Sequence, residues 1–385
     1  MSQMGTKNKK KINYLKLKKK DGQELIKIIK TKFNNQEIIN LKFRILHEKE
    51  DILFPIYNDQ DFLDYIKEIF ANKIKFEIVY KEGIPNLNYK VRSLQEALKG
   101  KILDNHIDLI PKSYDIIGDI VIIEFNRFNN LNRGIAFDYK RKIAVAIMKV
   151  NRNVKTVLEK RSEVKGPCRL RDLAFLAGED KSETIHREND CLFKLDVKKT
   201  YFSPRLVFER QRVALSSIKE NELIVDMFAG VGTFSIQIAK INNVKIHAFD
   251  VNPNAYNYIK KNIKLNRLRG DIYPVNIDVE NLIEDDNQLG KMLFHKADRI
   301  IMNLPESSIK FVDIACFLIK ESGGIMHFYQ FTEKPNPIEK TLKNLEAVLA
   351  LYEWQIDSLL ESKIVKHFSP RSELVVLDLK IIASK

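Results

Sequence analysis

From about residue 205 onward, short apolar runs alternate with segments whose apolar residues recur every three to four positions. The short runs fit buried strands, and the periodic segments fit amphipathic helices. Alternation of this kind is typical of a doubly wound, mostly parallel sheet that binds ligands at the carboxyl ends of its strands. The predicted strands are "ELIVDMF", "VKIHAFD", "IYPVNID", "ADRIIMNLP", "GIMHFYQ", "KIVKHFS" and "LVVLDLKI".

The first two hundred residues carry weaker patterns, which predict smaller domains ahead of this sheet. Residues 21–105 mix short apolar runs with periodic ones such as "DFLDYIKEIFANKI", as in a small mixed α/β domain. Residues 106–200 contain strand-like runs separated by Gly, Pro and Asn, which predict an α+β domain; these runs are "DIVIIEF", "KIAVAIM", "KTVLEK" and "CLFKLDV". We therefore predict a doubly wound α/β domain over 201–385, preceded by two smaller α+β domains.

Length and charge extend this picture. A chain of 385 residues exceeds one ordinary core, which favours two or three domains. The net charge of +14 indicates a polyanionic partner, because clustered Lys and Arg displace counterions from phosphates. Residues 1–20 hold eight lysines and no acid. We interpret them as a basic disordered tail, either simply solvated or serving as a nucleic-acid-binding or nuclear-targeting arm.

Several classes of protein are disfavoured by the sequence. No apolar run approaches the roughly 18 residues of a membrane helix, and the lysine-rich start lacks an apolar signal core. We therefore expect a soluble intracellular protein. Cys168, Cys191 and Cys316 are odd in number and far apart, and the seven histidines form no metal-binding pattern. We expect reduced thiols and no metal.

The segment "DMFAGVGTF", residues 226–234, follows the first predicted strand of the sheet and indicates a cofactor loop. A dinucleotide fingerprint needs a third glycine, where this chain has Phe234, and no G-x-x-x-x-G-K-[ST] phosphate loop is present. Asp226 followed by Gly230 and Gly232 instead suits a ligand with an amino acid moiety and no phosphates. The carboxylate can orient an ammonium group, and the glycine turn brings backbone close to the ligand. S-adenosylmethionine (AdoMet) is such a ligand.

Polar residues after the next strands strengthen the AdoMet hypothesis. Asp250 ends the second strand, 24 residues after Asp226, where a carboxylate can accept both ribose hydroxyls. Asp278 ends the third predicted strand, placed to meet an adenine amino group. The fourth strand delivers "NLPESS", in which Asn303 and Pro305 point to methylation of a base nitrogen. Each acid alone is about as often a turn or helix-cap residue, so the inference depends on the ordered set.

From about Ile110 to the "FYQF" strand, the chain resembles the archaeal and eukaryotic type of tRNA (guanine-37-N1)-methyltransferase. The matching motifs are "IPKSYDIIGDIVII", "CRLRDLAFLAGED", "DVKKTYFSPRLVFERQRV", "DMFAGVGTFSI", "DVNPNAYNYIKKNIKLN" and "MNLPESS". The chain departs from the family at Thr233, where Pro is usual, and at Glu373, in place of an expected His. The resemblance implies a Rossmann-like, AdoMet-dependent methyltransferase domain, tRNA as the substrate, and a monomeric enzyme.

The resemblance also implies roles for individual residues. Glu209 becomes the general base that removes the N1 proton of guanine, and Arg169 stabilises the negative charge that spreads to O6. Tyr201, Asn303 and Pro305 complete the implied catalytic set. The implied cofactor-binding residues are Arg205, Asp226, Phe228, Gly230, Gly232, Asp250, Val251, Asn252, Asp278 and Asn303.

Plainer interpretations of these residues stay open. Glu209 could belong to an exposed helical face with charge pairs, Arg169 and Arg171 could contact phosphates, and Tyr201 could be a core aromatic residue. For the whole chain, the alternatives are an AdoMet-dependent aminocarboxypropyl transferase of wyosine synthesis and a non-catalytic RNA-binding protein with a relic AdoMet fold. The N-L-P-E segment and the Arg169/Glu209 pair favour methyl transfer. We place the protein in the cytoplasm with a nuclear share, with the mitochondrial matrix as the alternative.

Overall fold

The computed structural model describes most of the chain, and its contacts separate two compact units, Met1–Arg92 and Ser93–Lys385. The described residues are 10–32, 38–57, 63–64, 67–68, 70, 73–91, 93–128, 130–367 and 369–384. Their α-helices are α1 (Gly22–Lys32), α2 (Leu94–Leu98), α3 (Arg133–Val150), α4 (Val207–Ala214), α5 (Thr233–Ile241), α6 (Pro253–Leu265), α7 (Gln288–Leu293), α8 (Val312–Leu318) and α9 (Pro337–Leu351). Their strands are β1 (Lys11–Lys18), β2 (Leu46–Glu48), β3 (Asp51–Pro55), β4 (Phe76–Glu82), β5 (Asp115–Ile117), β6 (Ile120–Ile123), β7 (Thr156–Lys160), β8 (Leu173–Gly178), β9 (Glu183–Glu188), β10 (Cys191–Asp196), β11 (Leu223–Asp226), β12 (Lys245–Asp250), β13 (Asp271–Asn276), β14 (Arg299–Met302), β15 (Gly324–Glu333), β16 (Trp354–His367) and β17 (Ser372–Ala383).

In the first unit, four antiparallel strands form a sheet in the order β2-β3-β1-β4. Within β1, Ile12 and Tyr14 pack into one cluster, and Leu15 and Leu17 pack into another. The predicted disordered tail over 1–20 is therefore wrong for β1, because apolar residues among the lysines let this strand bury both of its faces. Residues 1–9 lie outside the described residues, as does much of the predicted helix "DFLDYIKEIFANKI".

The start of the second unit contains a four-stranded sheet, β5-β6-β7-β8, and the hairpin of β9 and β10. α3 connects β6 to the parallel strand β7. The segment "KIAVAIM", predicted above as a strand, lies inside α3. Buried residues in α3 recur every three to four positions at Ala136, Tyr139, Ile143 and Ile147. This helical period extends over the whole segment and therefore explains why it forms a helix, although the short apolar run within it predicted a strand.

The rest of the second unit is built on a seven-stranded sheet in the order β13-β12-β11-β14-β15-β17-β16. Strands β11 to β15 run parallel to one another; β17 pairs antiparallel with β15, and β16 pairs antiparallel with β17 at the edge. Ile224 and Val225 are neighbours in β11, yet they belong to different apolar clusters, so the sheet is covered on both faces. The predicted doubly wound α/β fold class is confirmed.

Expectations from the sequence also concern the helices and the cysteines. Across the described ranges, the helices lack the length and apolar content that crossing a membrane requires. Cys168, Cys191 and Cys316 are free thiols. Burial raises the pKa of Cys191 to about 11 and that of Cys316 to about 12, so both are inert at neutral pH.

Candidate cofactor and substrate site

A cavity of about 310 Å³ lies at the carboxyl ends of β11, β12 and β14. β11 pairs with β12 on one side and with β14 on the other. The strand order therefore reverses at β11, and the loops that follow the neighbouring strands run to opposite sides, which opens a crevice at the carboxyl end of β11. The volume lies within the range of small-molecule sites. The predicted site residues that line the cavity are Arg169, Tyr201, Phe228, Gly230, Asp250, Val251, Asn252, Asp278, Asn303 and Pro305.

The loop after β11 brings backbone to this cavity. Gly230 and Gly232 have φ values of 57° and 88°, in the left-handed region that favours glycine. A Cβ on Gly232 would also stand 2.7 Å from Cγ1 of Ile259 in α6. Gly232 is therefore required for the turn and for the packing beneath it, although it does not line the cavity itself.

Asp226 lies behind this loop and does not line the cavity. It is 1% exposed; its Oδ2 accepts a hydrogen bond from Ser235 Oγ at 2.7 Å, and its Oδ1 has no hydrogen-bond partner among the described residues. Burial, helped by the nearby Asp250 carboxylate, raises the pKa of Asp226 to about 7. Asp226 is thus linked to the site only indirectly, by its hydrogen bond to Ser235 on α5.

Asp250, at the end of β12, holds the two loops around the cavity together. Its Oδ2 accepts from the Gly230 amide at 2.7 Å, and its Oδ1 accepts from the Asn252 amide at 2.8 Å. Burial raises the pKa of Asp250 despite these bonds. Each carboxylate oxygen can accept a further bond, so ribose hydroxyls remain suitable partners. The side chain of Asn252 makes structural hydrogen bonds. Its Oδ1 caps α6 by accepting from the Asn254 amide, and its Nδ2 donates to the Lys199 carbonyl.

The cavity also offers flat apolar surfaces next to an acceptor. Phe228 and Phe311 form an edge-to-face pair with ring centroids 5.1 Å apart, and both line the cavity with Ile277. Asp278 lies two residues beyond β13, where its Oδ1 caps a 3-10 turn by accepting from the Glu280 amide at 3.2 Å. An apolar slot with a carboxylate at its edge suits a purine with an exocyclic amine.

β14 delivers Asn303 and Glu306 to the same cavity. Ser308 fixes this turn, because its Oγ donates to the Met302 carbonyl at 3.0 Å and accepts from the Leu304 amide at 3.2 Å. The Oδ1 of Asn303 is buried, and no hydrogen-bond partner for it lies in the part of the chain that the structure describes. A buried acceptor without a donor is costly, so this oxygen is suited to an N–H group of a ligand.

Arg169 and Tyr201 enter the cavity together. The Arg169 guanidinium carbon lies 4.8 Å from the centroid of the Tyr201 ring, and its Nη2 is 3.2 Å from Oε1 of Glu306. Its Nη1 is buried and has no hydrogen-bond partner within the described ranges, and its backbone has a φ of 53°, which is uncommon for Arg. Strain and an unused donor beside a cavity are typical of functional sites, where the donor can meet developing negative charge.

Glu209, on α4, is 3% exposed, so the alternative of an exposed helical face is wrong for this residue. Its Oε1 accepts from Tyr329 Oη at 2.8 Å and from Arg212 Nε at 3.1 Å, and its Oε2 is 2.9 Å from Lys363 Nζ. Burial alone would raise the pKa of Glu209, but the bonds from Arg212 and Lys363 lower it overall. Glu209 is thus ionised at neutral pH, and in this structure it does not line the cavity.

One predicted site residue lies away from the cavity, and several residues that line the cavity were not predicted. Arg205 lies outside the cavity, exposed, with its Nε 2.8 Å from Asp115 Oδ1. The sequence patterns missed Cys168, Phe331 and Lys366, which do line the cavity. Only Cys168, next to the motif arginine, carried a local signal. The other two come from β15 and β16, whose approach to the cavity depends on long-range pairing.

Comparisons with known proteins identify the relatives of this chain. A family model described as the TRM5/TYW2 methyltransferase domain matches residues 184–356, and one described as the TYW2 N-terminal domain matches residues 94–181. The chain is 36% identical over 373 residues to tRNA (guanine(37)-N(1))-methyltransferase Trm5b of Methanocaldococcus jannaschii, covering 95% of this chain and 98% of that protein. It is 31% identical over 291 residues to tRNA(Phe) (4-demethylwyosine(37)-C(7)) aminocarboxypropyltransferase of Pyrococcus horikoshii, covering 76% and 97%.

Solved structures show the same two groups. The complex structure of aTrm5 and tRNALeu matches with a TM-score of 0.72 and 35% identity, covering 95% of this chain and 99% of that one. The crystal structure of M. jannaschii TYW2 in complex with AdoMet matches with a TM-score of 0.53 and 29% identity, covering 70% and 100%. Among these solved structures, the match to Trm5 proteins covers 95–97% of this chain, whereas the match to TYW2 proteins covers 70–76%.

Proposed function

Because the chain belongs to the TRM5/TYW2 methyltransferase family, we propose that it transfers a methyl group from AdoMet to N1 of guanosine 37 in tRNA. The resemblance seen in the sequence motifs is confirmed, and the protein is an AdoMet-dependent methyltransferase that acts on tRNA. The observation that carries the choice of N1 is the extent of the match to the Methanocaldococcus jannaschii guanine-N1 enzyme, which covers 95% of this chain at 36% identity, against 76% at 31% identity for the Pyrococcus horikoshii aminocarboxypropyltransferase.

The cavity residues fit AdoMet by the donors and acceptors they offer. When bound, AdoMet supplies a methyl group activated by a positively charged sulfur. Asp250 and Asp278 would accept from its ribose and adenine, with Phe228 beside the ring. Asn303, whose Oδ1 lacks a donor, would accept from its ammonium group or from the target base. Asp226 would act indirectly, through its hydrogen bond to Ser235.

Glu209 would act as the general base. Guanine N1 carries a proton at neutral pH and becomes nucleophilic only as that proton leaves. Glu209 is ionised and shielded from water, so it can accept this proton when N1 comes within hydrogen-bond distance. It does not line the cavity in this structure, so substrate binding would have to bring the two groups together, as catalytic contacts often tighten only in the substrate complex.

Arg169 and Tyr201 would hold the base that Glu209 deprotonates. As the N1 proton moves to Glu209, negative charge spreads to O6, where the unused Nη1 of Arg169 can donate. The N1–C bond then forms while the C–S bond breaks, which leaves S-adenosylhomocysteine and N1-methylguanosine. Asn303 and Pro305, at the end of β14, would fix the position of the base during transfer.

Product analysis tests the proposed function. The full chain is incubated with labelled AdoMet and tRNA transcripts that carry guanosine or adenosine at position 37, and the nucleosides are identified by mass spectrometry. We expect one methyl group on N1 of guanosine and none on adenosine. An aminocarboxypropyl increment would instead support the wyosine-synthesis alternative, and an unchanged tRNA would support the RNA-binding one.

Substitution of the two charged residues tests the mechanism. We expect Glu209→Gln to slow single-turnover methylation by about 10²–10⁴-fold, and Arg169→Ala by about 10²–10³-fold, with AdoMet affinity retained. Glu306→Gln is the matched control, because Glu306 is a carboxylate that lines the cavity and pairs with Arg169. A larger loss in Glu306→Gln than in Glu209→Gln would move the role of base to Glu306.

Assembly and location complete the proposal. We expect a monomer in the cytoplasm with a nuclear share, with the mitochondrial matrix as the alternative. Sedimentation of the purified protein and imaging of a tagged chain in cells test these two points.

A further inference from the structure

Four cationic side chains surround the opening between the cavity and a neighbouring groove of about 880 Å³. Arg169 and Lys366 line both spaces, whereas Arg171 and Arg205 line the groove alone. Tyr201 also lines both spaces and contacts two of these cations, since the guanidinium carbons of Arg169 and Arg171 lie 4.8 and 5.6 Å from its ring centroid. We call these four side chains the mouth cluster.

The positive charge of the mouth cluster is only partly compensated by carboxylates of the protein. Arg205 and Arg169 have the carboxylate partners described above. Within the described part of the chain, the side chains of Arg171 and Lys366 have no hydrogen-bond or ion-pair partner, and the Nε of Arg171 is buried. Burial lowers the pKa of Lys366, and Arg205 lowers it further; Asp115 opposes this shift, while Arg171 and Arg169 add smaller lowering effects.

This arrangement is unfavourable for the free protein. Charges withdrawn from water destabilise a fold unless they are paired. Local conflicts of this kind are expected at functional sites, where a ligand resolves them. The missing partner is an anion that reaches both the guanidinium of Arg171 and the ammonium of Lys366.

We propose that Arg171 and Lys366 form a phosphate subsite, which binds the phosphodiester attached to the nucleotide whose base enters the cavity. The inference rests on the proposed function, because it takes RNA as the ligand of the groove. A base that passes Tyr201 into the cavity leaves its sugar-phosphate at the opening, where the two cations lie. A phosphodiester offers two free oxygens and one negative charge, which suits one guanidinium and one ammonium group. The carboxylate of AdoMet is a poorer candidate, because Arg171 lines the groove and not the cavity.

Single neutral linkages in the tRNA test this subsite by binding rather than by activity. Full-length transcripts are assembled with one methylphosphonate at each linkage from position 35 to 39, and their affinity for the full chain is measured. We expect the wild-type protein to lose about tenfold at one of the two linkages that flank guanosine 37. Lys366→Gln and Arg171→Ala should each lose about tenfold on unmodified tRNA and nothing further at that linkage. Their log affinity should also depend less steeply on log salt, by a slope of about one.

Controls separate the subsite from general charge and from folding. Lys343→Gln removes an exposed lysine on α9 that pairs with Glu339, and it should bind every transcript as the wild type does. AdoMet affinity should be unchanged in all variants; an equal loss there would assign the anion to the cofactor and overturn the proposal. Independent losses from the variant and from the neutral linkage would overturn it as well. A wild-type protein that binds tRNA but leaves guanosine 37 unmethylated would refute the proposed function alone, because the binding cycle would still decide on the subsite.

Discussion

At the scale of single residues, Asp226, which lies behind the cofactor loop, should make the stability of the fold depend on pH. Its pKa of about 7 in the folded protein compares with an ordinary value near 3.8, so the folded state keeps the proton to higher pH than the unfolded chain. Stability should therefore fall as the pH rises from about 4 to 7. The residue was predicted from the sequence to contact the cofactor, and its burial behind the loop adds this second consequence.

Asp226→Asn should remove that pH dependence. We expect the variant to be more stable than the wild type at pH 8, by up to about 4 kcal/mol for a shift of three units, and nearly equal to it at pH 4.5. Urea denaturation at both pH values measures the difference. Asp271→Asn, an exposed carboxylate at the start of β13, is the control. A variant that is destabilised equally at both pH values would show that the carboxylate acts only through its hydrogen bond.

The sequence predicted which residues line the site better than it predicted their partners. Asp250 and Asn303 could be placed because parallel strands bring their carboxyl ends to one edge. Glu209 could be named from a motif, but its burial depends on Tyr329 and Lys363 in distant strands. Lys366 carried no signal at all, since nothing local distinguishes it from a surface lysine in a strand.

At the scale of elements, a buried charge network ties α4 to the sheet. Arg212 on α4 donates to Glu209 on the same helix and, at 2.5 Å, to Asp378 on β17. Asp378 also accepts from His327 Nδ1 on β15 at 2.7 Å. Arg299 on β14 can only donate, so the 2.9 Å contact makes His327 Nε2 an acceptor and leaves the proton on Nδ1. The helix that carries the proposed base is thereby fixed to three neighbouring strands.

Asp378→Asn should weaken both the fold and the proposed base. Burial would raise the pKa of Asp378, but His327 and Arg212 lower it to about 2. Its ionised form therefore stabilises the fold above about pH 4, and that contribution disappears as the pH falls through 2. We expect a loss of about 2 kcal/mol at pH 7 and a smaller difference from wild type at pH 3, measured by urea denaturation.

The same variant should methylate more slowly, because Arg212 is then free to pair fully with Glu209 and make it a weaker base. The rate should fall by about tenfold or more in single-turnover assays at saturating tRNA. Asp357→Asn, which removes a surface pair with Lys380 on β16 and β17, is the matched control and should change little. A destabilised Asp378→Asn that methylates at the wild-type rate would confine the network to folding.

The elements themselves were predictable where the local period agreed with the tertiary environment. The central strands β11 and β14 are buried on both faces, and their continuous apolar runs indicate this burial. β1 was hidden because its lysines dominate the composition, although its apolar residues alternate between two clusters. Part of α3, the segment "KIAVAIM", was predicted as a strand, because a run of seven residues is too short to reveal the helical period.

At the scale of the whole molecule, positive charge is shared by both units. Residues 1–92 carry a net charge of +8 and residues 93–385 carry +6. The cavity and the groove lie entirely within the second unit, and relatives of the aminocarboxypropyltransferase group match only about three quarters of the chain. The second unit should therefore hold the cofactor by itself, while the first unit contributes to binding of the tRNA.

A protein of residues 93–385 should separate these two contributions. We expect it to bind AdoMet as tightly as the full chain, because Asp250, Asp278 and Asn303 lie in this unit. It should bind tRNA more weakly and with a shallower dependence of log affinity on log salt, since fewer phosphates are neutralised. Titrations of both proteins at several salt concentrations give the two slopes. Equal slopes would mean that the charge of the first unit does not meet the tRNA backbone, and a flat response in both would count against docking led by phosphates.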